Sequence, residues 1–225
     1  MPSSDLPRLR IETPRLSDVP TAPGESPFRV KGVAWLDTLA RHGELPGGTQ
    51  AVMALLPSEG LRDYYSQPFL STSWYDVMPM IFADAAAAAV ANVSFEASLH
   101  DGSRRQAHRA FAGIYRSFVR LLVPSAVAWA LPRLATTYFD FGPVTTERLG
   151  AQHVRGTVSG VPAFLADWYE IAALEFVLVA LEYSGCVRPK LEWSERSEAG
   201  TLQGFLLQNL TFDITWIGAR IRSQD

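Results

Sequence analysis

Four histidines, one cysteine and a row of carboxylates are the residues of this 225-residue chain that could do chemistry. His42, His100, His108 and His153 could act as bases or metal ligands. No two stand three or four residues apart, the spacing that brings a metal-binding pair to one helix face. Cys186 stands alone. As a nucleophile it would need an imidazole and an electropositive setting, with His153 the candidate partner; otherwise it is a small buried hydrophobe. Gly156-Thr157-Val158-Ser159-Gly160 has the outer glycines of a nucleophile elbow, but Val158 holds the central place where serine belongs. Asp167, Glu170 and Glu175 could supply a base if burial raised a carboxyl. Glu175 stands out because it interrupts the apolar run 171–181. Arg104, Arg105, Arg109, Arg116 and Arg120 form a basic stretch. With a net charge of −3 and carboxylates just upstream, it reads as a salt-bridged face and not as a nucleic-acid surface.

The elements that must position these residues are helical up to about residue 134. Apolar spacing predicts a short strand or helix entry and then a helix over 28–42, and helices over 49–56, 74–99, 104–122 and 124–134. The run 85–89 is all alanine and reads as core packing, with a close helix or dimer seam as the alternative. At residue 135 the period changes. Segments 136–141, 144–149 and 153–158 carry strand signals. A long helix over 162–183 follows, bounded by Pro162 and Gly185, with only one narrow polar stripe. Such a helix is central to the domain or half of a dimer interface. Strands over 190–194 and 205–216 close the chain, with 195–200 a charged hairpin loop. The order predicts one α+β domain over 28–217, an antiparallel sheet with the long helix packed on it.

Residues 1–27 hold Pro2, Pro7, Pro14, Pro20, Pro23 and Pro27 and read as a disordered extended tail; 218–225 reads as a second tail. Hydrophobic residues make up 48% and charged residues 19%, which excludes a disordered chain overall. One cysteine excludes an internal disulfide framework. The apolar runs 121–131 and 171–181 fall short of the ~20 residues that cross a bilayer. A cytoplasmic protein is expected.

The element order resembles a fold shared by the haem–nitric oxide binding (H-NOX) domains, the 4-vinyl reductase domains and the TRAPP-type subunits of vesicle-tethering complexes. Val30-Lys31-Gly32 before an amphipathic helix is similar to the H-NOX opening. Leu55-Leu56-Pro57 through Trp74-Tyr75, with Pro132-Arg133-Leu134 before Tyr138-Phe139-Asp140-Phe141-Gly142, resembles an uncharacterised paralogous family abundant in myxobacteria. The resemblance implies a pocket between the helical half and the sheet, and a homodimer. H-NOX domains hold haem through a histidine on the helix before the strands and through a Tyr-x-Ser-x-Arg motif. Tyr138 matches the tyrosine, but Asp140 and Gly142 replace the serine and the arginine. The helix 124–134 has no histidine, so no haem, other cofactor or metal is expected. The cysteine cluster common in 4-vinyl reductase domains is absent too.

The expected function is a non-catalytic sensor or interaction module that binds a small apolar ligand or a protein partner, with Phe111, Tyr115, Trp129, Tyr138 and Trp168 as ligand-binding candidates. The alternative is an enzyme on an apolar small molecule, using His153 or one of Asp167, Glu170 and Glu175. A third reading is a haem gas sensor using His108.

Overall fold

The computed structural model describes residues 12–112 and 124–219. Strand β1 (Arg29–Lys31) leads straight into helix α1 (Gly32–Gly43), and pairs antiparallel with β2 (Trp74–Asp76). The corner works only with glycine, because a Cβ on Gly32 would lie 2.0 Å from the Leu70 carbonyl oxygen. Helices α2 (Gly48–Ala54) and α3 (Glu59–Ser66) follow. The Ser58 hydroxyl caps α3 by accepting from the Leu61 amide at 3.2 Å. Helices α4 (Met78–Ala91), α5 (Phe95–Ala112) and α6 (Pro124–Tyr138) complete the helical half.

The second half is a four-stranded antiparallel sheet in the order β3-β4-β7-β6, built from Val144–Gly150, His153–Pro162, Phe205–Thr215 and Lys190–Leu202. Helix α7 (Ala166–Tyr183) lies between this sheet and the helical half, packed chiefly on α5. A short pair, β5 (Cys186–Val187) and β8 (Gly218–Ala219), ties the last described residues back to the end of α7. The α+β architecture is therefore the one expected.

Several boundaries differ from the sequence reading. The segment 74–99 is not one helix. Trp74–Asp76 is drawn into pairing with β1, and Asn92 in the left-handed region (φ 54°) ends α4. The Ser94 hydroxyl then accepts from the Ala97 amide and starts α5. Helix α5 thus begins nine residues before the expected 104, and residues 113–122 of the expected helix lie outside the described residues. The first half of the expected strand at 136–141 is the end of α6, and a single bridge joins Phe139 to Val30. The expected loop 195–200 continues β6, and the hairpin turns at Gln203-Gly204. Gly218 and Ala219 belong to the folded domain.

The end of the proline-rich segment is docked, not free. Pro23 lies against Gly60 and Pro20 against Gly204. The fully buried Asp76 carboxylate holds the segment: Oδ2 accepts from the Gly24 and Ser26 amides at 2.9 and 3.1 Å. Its Oδ1 accepts from the Ser26 hydroxyl and the Met78 amide. Four donors on one carboxylate make this a structural anchor.

Ala86, Ala87 and Ala88 are buried in the core, the ordinary-packing reading of the alanine run. Among the described residues no single helix is long and apolar enough to cross a membrane. Helices α4 and α5 pass that test only as a pair, and the pair is bent by 108°.

Candidate functional site

One cavity lies where the helical half, α7 and the sheet meet. It encloses about 1140 Å³, its solvent-open mouth included. Its inner walls are apolar. Val30 comes from β1, Leu134 and Ala135 from α6, Phe139 from the turn after it, and Ala172, Ala173, Phe176, Val177 and Ala180 from α7. This explains the apolar breadth of α7. Ala172, Ala173, Phe176, Val177 and Ala180 give it a cavity face, and Leu181 is fully buried on another side.

The rim is polar and comes from two helices. Asp37, Thr38 and Arg41 are spaced along α1; Ser103, Gln106 and Arg109 recur at every third residue along α5. Asp37 Oδ1 stands 3.7 Å from Arg109 Nε, an ion pair too long for a hydrogen bond. Burial raises the Asp37 carboxyl above its ordinary range, with Arg109 opposing the shift.

Behind the rim lies a buried polar cluster centred on Asp84 of α4. Arg41 Nη2 donates to Asp84 Oδ1, and the Trp168 indole N–H donates to Oδ2 at 2.9 Å. Burial alone would raise this carboxyl, but Arg41, His42 and Trp168 together hold it below the usual carboxylate range. His42 is fully buried. Its Nδ1 is 3.0 Å from the Tyr65 hydroxyl, whose phenol burial keeps protonated, so the hydroxyl can donate. The ring proton then falls on Nε2, which faces Asp84 Oδ1 at 3.6 Å without a hydrogen bond. Gly102 of α5 lies under Arg41, since a Cβ there would come 2.8 Å from Arg41 Cζ.

Of the five aromatic residues named from the sequence, Phe111, Tyr138 and Trp168 line this cavity. Tyr138 meets Phe176 edge-on at 5.1 Å, and Phe111 meets the same ring at 5.7 Å. Trp129 does not belong with them. It is 51% exposed on α6, because its helical phase turns it away from buried Val127 toward solvent. Tyr115 lies outside the described residues.

The groups named as possible bases are tied up elsewhere. Glu175 accepts from His100 Nδ1 at 2.8 Å and from Arg104 at 3.3 Å. Glu170 and Asp167 share Arg196. Burial raises the Glu170 carboxyl against the pull of that guanidinium. His153 Nε2 pairs with Asp213 at 2.7 Å. Burial lifts the Cys186 thiol to about 11, which leaves it protonated and inert near neutral pH. None of these residues lines the cavity. The basic stretch on α5 is salt-bridged: Arg104 to Glu175 and Glu182, Arg105 to Asp101 and Glu44.

The positions that resemble the tyrosine motif have structural tasks. Asp140 accepts from the Arg29 amide at 2.6 Å. Gly142 adopts φ 64° in a turn where a Cβ would meet Val158 at 3.0 Å. Among the described residues the cavity walls carry no imidazole and no thiol. Met80 supplies a thioether, and burial holds the Tyr169 phenol protonated. No group of three or more possible metal ligands occurs among the described residues.

Asp84, Arg41 and Asp37 were not apparent as site residues from the sequence, and Arg109 was read only as part of the basic stretch. Asp84 sits next to the alanine run, and a lone carboxylate in an apolar helix was the available signal.

No protein-family model matches the chain, and no curated protein matches it in sequence. Solved structures do match. The Fe(II) unliganded H-NOX protein from K. algicida aligns with a TM-score of 0.59 at 13% identity, over 86% of this chain and 100% of that one. A Cs H-NOX mutant carrying the unnatural amino acid 4-cyano-L-phenylalanine aligns at 0.59 and 11% identity, over 86% and 100%. An oxygen-binding H-NOX domain related to soluble guanylate cyclases, in its oxygen complex, aligns at 0.56 and 9% identity, over 85% and 96%. At these identities the likeness is one of fold, and the chain has an H-NOX-like fold.

Proposed function

We propose that this domain is a haem-free, non-catalytic module that senses or carries a small, mainly apolar molecule. The cavity carries this reading: it opens to solvent, its inner wall is mainly apolar, and a few polar groups converge at one rim. Its donor set does not fit a haem iron, which needs a strong axial donor from histidine, thiolate or phenolate. Among the described residues its walls offer no imidazole or thiol, only the Met80 thioether and the Tyr138 and Tyr169 phenols, the second held protonated by burial. His108, the alternative ligand, lies beside Tyr183 with the rings tilted by 54° and does not line the cavity. The bases named from the sequence are held in ion pairs away from the cavity, which supports the non-catalytic reading.

The test is spectroscopic. Purified protein mixed with haemin is expected to show only a broad absorbance like that of haemin with bulk protein. A neutral apolar dye, N-phenyl-naphthylamine, is expected to bind with enhanced fluorescence, and Ala173→Trp to abolish that signal with the circular dichroism unchanged. A sharp Soret band that disappears in His108→Ala would overturn the haem-free reading.

A further inference from the structure

We propose that the cavity takes an amphipathic monocarboxylic acid, its apolar body inside and its carboxylate received by Ser103, Gln106 and Arg109 at the α1–α5 rim. This rests on the reading of the cavity as a ligand site.

The rim has more unused donors than acceptors. Among the described residues nothing accepts a hydrogen bond from the Arg109 guanidinium, whose nearest carboxylate oxygen is 3.7 Å away. The Ser103 hydroxyl and the Gln106 amide have no hydrogen-bond partner among the described residues either. These three side chains share one face of α5. An acceptor-rich head complements such a row, and a planar carboxylate matches a guanidinium in two parallel hydrogen bonds.

The charges argue for a single negative charge. Arg41 is committed to Asp84, so only Arg109 is loosely held. A doubly charged phosphate would stand against the Asp37 carboxylate, with Arg109 alone to balance it. Burial already makes Asp37 easier to protonate, which lets it yield when a second carboxylate arrives. The apolar walls of Leu134, Ala173, Phe176 and Val177 suit an apolar body behind that head.

The experiment is competition against N-phenyl-naphthylamine. Decanoate is compared with decanol, and phenylbutyrate with phenylbutanol, so that aliphatic and aromatic acids are separated. At least one acid is expected to displace the dye at about tenfold lower concentration than its alcohol. Arg109→Gln should remove that advantage, and Arg109→Lys should keep part of it. Alcohols that compete as well as the acids, or an advantage that survives Arg109→Gln, would overturn the proposal. Dye that does not bind, or that still binds Ala173→Trp, overturns the cavity reading itself, and the acid proposal falls with it.

Discussion

Gly102 and Arg41 are built around each other: the guanidinium that reaches Asp84 occupies the space a side chain at residue 102 would need. Glycine inside a helix costs roughly 1 kcal/mol relative to alanine. Here that cost secures the path of one arginine. Gly102→Ala is therefore expected to lower stability by roughly 2 kcal/mol, because displacing Arg41 outweighs the gain in helix propensity. In an Arg41→Met background the same change should become neutral or stabilising. Urea unfolding of the four proteins checks this, and equal effects in both backgrounds would refute it.

Asp84 should govern the acid limb of the stability curve. Its carboxyl is held below the ordinary value of 3.8, so the stability it contributes is present above that value and is lost as pH falls through the lower folded one. Asp213, lowered by Arg155 and His153 against its own burial, acts in the same direction. Asp84→Asn leaves Arg41 buried without its counter-charge and should cost about 3–5 kcal/mol near neutral pH. The variant should also lose less stability than the parent between neutral and acid pH, as measured by denaturant midpoints.

Asp37 should behave with the opposite sign. Its carboxyl is raised, so the folded state binds that proton more tightly, and this contribution declines as pH rises from 3.8 through the raised value. Asp37→Asn is expected to raise the melting temperature at neutral pH. A fall there would show that the long Arg109 pair outweighs the burial cost.

Gly156 on β4 faces Phe212 on β7, and a Cβ there would lie 2.2 Å from the ring edge. Gly156→Ala should overpack this cross-strand contact and cost roughly 1–3 kcal/mol. Gly43→Ala is the control, since open space surrounds that position. Thermal unfolding of both distinguishes a steric effect from a general one.

The long helix was legible because its apolar residues recur over eighteen positions between proline and glycine signals. The β3–β4 hairpin was legible from β-branched residues on both sides of Gly150. The strand at Trp74–Asp76 was not, because three residues give no period and their pairing with Arg29–Lys31 is a long-range event. The Asp84 cluster was hidden for a related reason. Arg41 lies forty-three residues before Asp84 in the chain and Trp168 eighty-four after, and no local pattern signals that they meet. Trp129 shows the converse: composition marks an aromatic residue, but helical phase decides which way it faces.

Helix α7 has one further consequence. The wall it gives to the cavity belongs to the same helix that holds α5 against the sheet, so the molecule's interior is completed by whatever enters. A ligand at a hundred times its dissociation constant would add about 2.7 kcal/mol to the free energy of unfolding. In a cell, that difference is read by proteases as abundance. The supply of the ligand would then set how long each copy of the protein survives.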